Sequence, residues 1–263
     1  MGSLQGKNIV VTGASRGLGE AMALGFAREG AALVLAARTV DDLERVAKEC
    51  TAVGASDVRT VPTDITDEAQ VEHLIETAHR IDVFVANAAT SYGMLTDKRY
   101  RELHTYDLDI VDQLFRINVI GTWLCMKYAL PVMPPGSSFI AIGSETGRAL
   151  YPGAGIYALT KTTLDGMVTL ASREMAPASV RVNMLSPGGM VDTQLFGPDG
   201  MPEWLKEQHP PLPAEVIVPA ANWLASDLST PVTGVQVSGK AFNADAGLAA
   251  SLIEAAQAHA SGH

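Results

Sequence analysis

The chain has 263 residues, enough for one large α/β domain with a substantial core. Its 47% hydrophobic and 18% charged residues describe a folded globular protein rather than a disordered chain. The net charge of −10 argues against nucleic acid or an anionic membrane as a partner. No apolar run approaches the roughly 18 residues of a membrane helix, so we expect a cytoplasmic protein that acts on a small molecule.

A short buried strand, Ile9–Val11, leads into the glycine-rich turn TGASRGLG at residues 12–19. Glycines between a strand and a helix let the backbone approach a pyrophosphate, which the N-terminus of the helix then stabilises. The pattern therefore predicts a dinucleotide site at this turn. Its candidate residues are Thr12, Gly13, Ser15, Arg16, Gly17, Leu18 and Gly19.

The second strand, Ala32–Ala37, ends where a dinucleotide fold places the residue that binds the adenosine ribose. An acid there would accept a hydrogen bond from the 2′-hydroxyl of NAD, but the chain continues with Arg38 and Thr39. The guanidinium groups of Arg16 and Arg38 match the oxygens of a 2′-phosphate. We expect NADP (NADPH) as the cofactor and NAD less, unless both arginines are merely solvated surface residues.

Strands near Val58–Val61 and Ile81–Ala86 alternate with helices up to about residue 87, without a long structureless gap. This alternation predicts an α/β fold: a Rossmann-type, doubly wound parallel sheet of about seven strands with helices on both faces. A later helix, from about Asp107, contains Asn118 and Gly121. Both residues are unfavourable inside a helix, which indicates either a kink or a functional placement.

The strand Phe139–Ile142 and the helix after it carry the clearest chemical signal. Ser144 emerges at the carboxyl end of the strand, the edge where open α/β sheets bind ligands. Tyr157 and Lys161 are four residues apart in a predicted helix that ends near Met175. Their side chains therefore share a helix face, and the ammonium can reach the same pocket as the phenol.

A tyrosine with a pKa of about 10 needs a shift of about three units, roughly 4 kcal/mol, to act as a base near pH 7. One lysine about 5 Å away supplies on the order of 3 kcal/mol, and burial opposes that effect. Lys161 alone is therefore marginal for Tyr157. A second positive charge, such as an oxidised nicotinamide, would complete the shift.

The remaining strands are predicted at Val180–Leu185 and near Val235–Val237, separated by a helix at Ala214–Ala225. We find no internal repeat and no domain boundary, so we predict a single domain over residues 1–263. Within it, residues 190–213 form a substrate loop or lid, and residues 248–263 form a helix-prone C-terminal tail. Cys50 and Cys125 are expected to be buried free thiols, and no His or Cys spacing predicts a metal site.

Three segments, 90–106, 145–151 and 189–213, are expected to wall the substrate pocket. Their apolar or aromatic candidates are Tyr92, Met94, Leu150, Tyr151, Met190, Leu195, Phe196, Met201 and Trp204. Such a set binds a medium-sized hydrophobic or aromatic molecule. Alternatively, several of these residues only pack the loops or face another subunit. Lys98, Arg99 and Arg101 either bind an anionic group or are simply solvated.

The motifs occur in the order and spacing of the short-chain dehydrogenase/reductase family, which the chain resembles over about residues 5–247. They are TGASRGLG at 12–19, NAA at 87–89, NVIG at 118–121, Ser144, YALTK at 157–161 and SPGG at 186–189. The resemblance implies a Rossmann-type sheet, NAD(P) and an Asn-Ser-Tyr-Lys tetrad. The tetrad would be Asn118, Ser144, Tyr157 and Lys161, with Asn118 holding a water that links Lys161 to solvent.

The same resemblance implies further cofactor contacts. Asp64 and Ile65 would border the adenine, and Asn87, with Ala88 beside it, would lie near the cofactor ribose. Pro187, Gly188 and Thr193 would flank the nicotinamide, while Tyr157 and Lys161 would contact the cofactor as well as the substrate. Relatives commonly pair their helices across two-fold axes, so a homo-oligomer is expected, a tetramer rather than a dimer.

The activity expected is the NADPH-dependent interconversion of a ketone and a secondary alcohol. A 3-oxoacyl-(acyl-carrier-protein) reductase or a sugar or polyol dehydrogenase are alternatives on the same fold. A cofactor-binding regulator without catalysis is disfavoured because every tetrad position is filled. An enoyl reductase would carry a wider spacing between the tyrosine and the lysine than Tyr157 and Lys161 have.

Overall fold

The computed structural model describes residues 2–91, 102–151, 154–197 and 199–261. In these residues seven parallel strands form one sheet in the order β3-β2-β1-β4-β5-β6-β7. The strands are β1 Asn8–Thr12, β2 Ala32–Ala37, β3 Asp57–Pro62, β4 Val83–Ala86, β5 Ser138–Ile142, β6 Arg181–Ser186 and β7 Gln236–Ser238. The predicted fold class is confirmed.

Helices cover both faces of this sheet. They are α1 Gly17–Arg28, α2 Val40–Val53, α3 Glu68–Ala78, α4 Leu108–Phe115, α5 Thr122–Ala129, α6 Thr146–Ala149, α7 Gly155–Met175, α8 Glu203–Gln208, α9 Val218–Ala225, α10 Gly239–Ala244 and α11 Leu248–Ser261. Each face of the sheet has its own hydrophobic core, and alternate residues of β1 belong to different cores because successive side chains of a strand point to opposite faces. Ile9 and Val11 pack with α1, α2 and α9, whereas Val10 packs with α3, α5 and α7.

The order of the strands reverses at β1, which pairs with β2 on one side and β4 on the other. In open α/β sheets a crevice forms at the carboxyl ends of the strands at such a point, because the helices on its two sides leave in opposite directions. The predicted glycine-rich turn follows β1, and Asn87 follows β4. Both therefore lie at this crevice.

Several local predictions are corrected. The helix expected from about Asp107 is interrupted by a π-helical turn, Arg116–Gly121, between α4 and α5. Residues 239–244 form helix α10, which follows β7 directly and was not predicted as a helix. The short helices α6 and α8 were not predicted.

The tail forms α11, whose Leu252 and Ile253 pack against the core on the α1 side of the sheet. Cys50 and Cys125 are buried free thiols, as expected. Among the residues that the structure describes, no helix is long and apolar enough to cross a membrane.

Candidate active site

Ser144 and Tyr157 meet at a cavity of about 900 Å³ at the carboxyl edge of the sheet. Ser144 follows β5 after Gly143, where a Cβ atom would lie 2.2 Å from the Met184 sulfur, so that a larger residue would require the Met184 side chain to move. Tyr157 lies in the first turn of α7, and its phenol is close enough to the Ser144 hydroxyl to be influenced by it. The two hydroxyl groups, predicted from spacing alone, thus come together in one cavity.

Lys161 lies one turn further along α7 and also lines the cavity, although only 4% of it is exposed. Its Nζ donates a hydrogen bond of 2.8 Å to the carbonyl of Ile142, the last residue of β5. The same nitrogen lies 5.7 Å from the centre of the Tyr157 ring. Burial lowers the pKa of Lys161 to about 8, because the ammonium loses most of its hydration.

Burial raises the pKa of Tyr157 to about 12, and the nearby Ser144 hydroxyl offsets only part of that rise. The protein's own groups therefore keep the phenol protonated near neutral pH. A protonated phenol beside a serine hydroxyl is an acid and a hydrogen-bond donor, which can protonate and hold an oxygen atom that gains negative charge.

Asn118 lies in the π-helical turn and is almost fully buried. Its Oδ1 accepts from the Thr90 N–H at 2.8 Å, and its Nδ2 donates to the Thr90 carbonyl at 2.9 Å and to Thr160 Oγ1 at 3.1 Å. Thr122 Oγ1 donates to the Asn118 carbonyl at 2.8 Å. The side chain thus fastens the segment after β4 to α7 and does not line the cavity.

The glycine-rich turn is held from β4 by Asn87. The Asn87 Nδ2 donates to the Thr12 carbonyl at 2.9 Å and to the Gly13 carbonyl at 3.1 Å, and its N–H donates to Thr12 Oγ1 at 3.0 Å. A Cβ atom on Gly19 would lie 2.1 Å from the Gly13 oxygen, so α1 can begin this close to β1 only with glycine there. The amide nitrogen of Asn87 therefore shapes the turn, while the residue also lines the cavity.

The two arginines expected at a 2′-phosphate are both exposed and line the cavity beside Thr39. Arg16 donates to Gln194 Oε1 of the loop after β6. Arg38 makes no hydrogen bond or ion pair within the described ranges 2–91, 102–151, 154–197 and 199–261. The cavity edge has two guanidinium groups, and position 37 holds an alanine rather than an acidic residue. Such an edge fits an anionic group better than a ribose hydroxyl.

Most predicted cofactor residues line the cavity. These are Gly13, Ser15, Arg16, Gly17, Leu18, Arg38, Thr39, Ile65, Asn87, Ala88, Tyr157, Lys161, Pro187 and Thr193. Thr12, Gly19, Asp64 and Gly188 do not. Thr12 is buried within the turn, and the Asp64 carboxylate accepts from the N–H and the hydroxyl of Thr66 and so caps a local turn. Gly188 packs against Ser238 beneath the loop.

The predicted substrate loop, 190–213, is anchored at both ends by a bridge between Val191 and Leu212. Inside it, Asp192 forms an ion pair of 2.9 Å with Lys206 and accepts from the Met201 N–H at 2.8 Å. The Ser91 hydroxyl donates to the Leu195 carbonyl. The loop therefore lies folded across the glycine-rich turn rather than extended into solvent.

The walls of the cavity are only partly those expected. Tyr151, Met190, Leu195 and Phe196 line it, whereas Leu150, Met201 and Trp204 do not. Within the loop, which folds on its own ion pair, Met201 is buried and Trp204 is exposed. Leu150, at the end of α6, is also exposed. Tyr92, Met94, Lys98, Arg99 and Arg101 lie outside the described residues. Other residues of the expected segments 90–106 and 189–213 also line the cavity, namely Tyr106, Leu205, Gln208, His209 and Leu212. Ile117 lines it too and lies outside those segments.

A doubly wound sheet with a glycine-rich turn after β1 and a Ser-Tyr-Lys cluster after β5 defines a dinucleotide-dependent oxidoreductase. Comparison with known proteins agrees. A family model described as enoyl-(acyl carrier protein) reductase matches residues 13–248. The chain therefore belongs to the short-chain dehydrogenase/reductase family, and it is an NAD(P)-dependent oxidoreductase.

Among curated relatives, the chain is 35% identical to an uncharacterized oxidoreductase of Staphylococcus aureus, over 73% of this chain and 81% of that protein. It is 32% identical to a glycine betaine reductase of Emericella nidulans over 83% of this chain, but this match spans only 17% of that longer protein.

Solved structures of similar fold include a short-chain dehydrogenase/reductase from Serratia marcescens, with 29% identity and a TM-score of 0.79. Another is a carveol dehydrogenase from Mycobacterium avium in complex with NAD, with 26% identity and a TM-score of 0.78. Each likeness covers 90% of this chain and 97% of the other.

Proposed function

We propose that this protein reduces a medium-sized hydrophobic or aromatic ketone to a secondary alcohol with NADPH. The observation that carries the proposal is that Ser144 and Tyr157 line one cavity with Lys161 beside them, and that burial moves the pKa of the phenol further above neutral pH. A ketone reduction requires a proton donor at the oxygen atom that becomes the alcohol. Tyr157 meets that requirement at neutral pH.

The residues present fit a dinucleotide phosphate. The glycine-rich turn and the N-terminus of α1 would hold the pyrophosphate, Arg16 and Arg38 the 2′-phosphate, and Pro187 and Thr193 the nicotinamide. Ile65 would border the adenine, with the Asp64 side chain turned to Thr66. When bound, the reduced nicotinamide supplies the hydride that the carbonyl carbon accepts.

The chain's own residues would manage the oxygen and the proton. Ser144 donates a hydrogen bond to the carbonyl oxygen, and Tyr157 passes its proton to the same atom as negative charge develops. Lys161, with a pKa near 8, is mostly protonated at neutral pH and stabilises the tyrosinate that remains. Asn118 fixes the π-helical turn next to this group, where we propose that a water links Lys161 to solvent.

The proposed substrate class rests on the apolar residues that line the cavity. Ile117, Met190, Leu195, Phe196 and Leu212 supply an apolar surface, and Tyr151 an aromatic one. Such pockets bury a carbon skeleton and orient it with few polar contacts. Gln208 and His209, in the loop 190–213, also line the cavity and add polar groups to it.

Two other substrates are kept as alternatives, a carrier-bound acyl thioester and a sugar or polyol. The description of the matching family model names an enoyl-(acyl carrier protein) reductase, which favours testing the thioester directly. A catalytically silent regulator remains the alternative from another class.

A panel of aromatic ketones, 3-oxoacyl and enoyl thioesters and sugars, each offered with NADPH and NADH, tests the proposal through nicotinamide absorbance at 340 nm. We expect turnover of aromatic ketones with NADPH. Activity confined to sugars or to thioesters would contradict the substrate class, and binding of the cofactor without any turnover would favour the regulator.

A further inference from the structure

A side-chain network joins the loop of Ser144 to the end of β6. Glu145, the residue after Ser144, accepts a hydrogen bond of 2.6 Å from the hydroxyl of Ser186. Ser186 is the last residue of β6, is fully buried and immediately precedes Pro187. Gln236, the first residue of β7, donates to the Ser186 hydroxyl at 3.2 Å and to Glu145 at 3.4 Å.

The bond between Glu145 and Ser186 is short, although Glu145 itself is exposed and lines the cavity. Hydrogen bonds from a hydroxyl to a carboxylate measure about 2.5–2.7 Å and are roughly twice as strong as neutral ones. The other acceptor for this hydroxyl, the Val237 carbonyl, lies 3.4 Å away, near the limit for a hydrogen bond. Glu145 is therefore the principal partner of the Ser186 hydroxyl.

The network connects the two loops whose spacing the reaction depends on. In the proposed function, Ser144 holds the substrate oxygen and Pro187 lies against the nicotinamide, and both residues line the cavity. The segment that begins at Pro187 is also held by helix α10, because the Lys240 N–H donates a hydrogen bond of 3.0 Å to the Pro187 carbonyl. One residue earlier in each segment, the Gly143 N–H donates a backbone hydrogen bond of 2.8 Å to the Leu185 carbonyl. This bond holds the ends of β5 and β6 together.

We propose that Glu145 and Ser186 are positioning residues, whose hydrogen bond sets the distance between the catalytic serine and the nicotinamide. The proposal rests on the proposed function, because it assumes that the nicotinamide binds beside Pro187. Reacting atoms must approach to about 3–3.5 Å, so a small displacement of one loop slows the hydride step without abolishing the fold. The backbone bond between Gly143 and Leu185 remains in every variant and keeps the strands paired.

Binding of NADPH and of adenosine 2′,5′-bisphosphate, measured by titration calorimetry, separates the two halves of the cofactor. The bisphosphate carries the adenine and 2′-phosphate but no nicotinamide. In Glu145→Ala and in Ser186→Ala we expect NADPH to bind roughly tenfold more weakly and the bisphosphate to bind as in the wild type. The double variant should be no weaker than either single one, because both remove the same bond.

Two further variants serve as conservative replacement and control. Glu145→Gln keeps an oxygen acceptor for Ser186, so it should recover most of the NADPH affinity. Glu68→Ala removes an exposed carboxylate that accepts from Lys127 and Tyr128 away from the cavity, and it should bind both ligands normally. With an aromatic ketone, Glu145→Ala should lower kcat about tenfold and change the substrate KM much less.

The outcomes are distinguishable. If wild-type protein binds NADPH no more tightly than the bisphosphate, the placement of the nicotinamide fails and the proposed function fails with it. If the wild type prefers NADPH but Glu145→Ala and Ser186→Ala keep that preference, or lose affinity for both ligands equally, the positioning role alone is wrong.

Discussion

Lys161 has an ionisable side chain buried at a free-energy cost. Folding lowers its pKa from 10.5 to about 8, so the unfolded chain binds the proton more tightly. The cost is therefore complete below pH 8, declines as the pH rises from 8 to 10.5 and is absent above that. A shift of this size corresponds to about 3 kcal/mol. A fold that tolerates such a cost next to a cavity is consistent with a functional lysine.

Lys161→Met should raise the free energy of unfolding at pH 7 by about 1–3 kcal/mol, because it removes the buried charge but also the bond to the Ile142 carbonyl. Urea unfolding at pH 7 and pH 10 measures this. The stabilisation relative to wild type should become much smaller at pH 10, because most of the cost is lost as the pH approaches the unfolded-state pKa of 10.5. Equal differences at both pH values would show that the charge is not responsible.

The proposed preference for NADPH rests on Arg16 and Arg38. Replacing both by alanine should raise the KM for NADPH by about 100-fold, since each charged hydrogen-bonding group contributes about 1.5–3 kcal/mol. The KM for NADH should barely change, because NADH carries no 2′-phosphate. Arg28→Ala, at the other end of α1, is the matched control for an exposed arginine. A wild type that already prefers NADH would refute the assignment.

At the scale of elements, the π-helical turn is fastened to its neighbours by Asn118. Asn118→Ala removes three side-chain hydrogen bonds, to both backbone groups of Thr90 and to Thr160. We expect the free energy of unfolding to fall by about 2–4 kcal/mol, since the site is buried. Thermal or urea unfolding measures the loss. A variant as stable as wild type would mean that the turn keeps its shape without these bonds.

Strands β1, β2, β4 and β5 were predictable because each contains a short apolar run, and the fold class followed from the alternation of strands with helices. The sequence did not predict that the break between α4 and α5 would be a π-helical turn. The unfavourable pair Asn118 and Gly121 indicated a disturbance, but only the approach of Gly121 to Ile65 and of Asn118 to Thr90 in the folded chain decides its form.

Some features of the candidate site were likewise predictable from the sequence and others were not. Ser144, Tyr157 and Lys161 came together as expected, since strand ends and helix faces follow local periodicity. The orientation of Leu150, Met201 and Trp204 depends on how two loops fold, which no periodicity encodes. Glu145 carried no sequence signal, because its partners Ser186 and Gln236 are 41 and 91 residues away.

At the scale of the whole molecule, apolar residues remain exposed on the outer faces of two adjoining elements. Ile120 and Trp123 lie on the π-helical turn and α5, and Leu170 lies on α7, where Gly166 has open space in place of a neighbour. A glycine in mid-helix costs about 1 kcal/mol relative to alanine, and nothing within the described chain requires it there. We propose that a second copy covers this surface in a dimer or tetramer.

Trp123→Glu together with Leu170→Glu should therefore shift the protein to a monomer, because two carboxylates would be buried in the interface. Light scattering at micromolar concentration measures the mass. Leu228→Glu is the control, since Leu228 is also an exposed leucine but lies in a turn after α9. A monomeric wild type would contradict the assembly.

The central claim is that the protein reduces ketones with Tyr157 as the proton donor, and Tyr157→Phe tests it most directly. The change removes one hydroxyl from the cavity and leaves the glycine-rich turn, the arginines and Lys161 in place. Turnover of an aromatic ketone with NADPH should fall by at least about a thousandfold, while calorimetry shows NADPH binding near the wild-type affinity. Near-normal turnover in Tyr157→Phe would contradict the account.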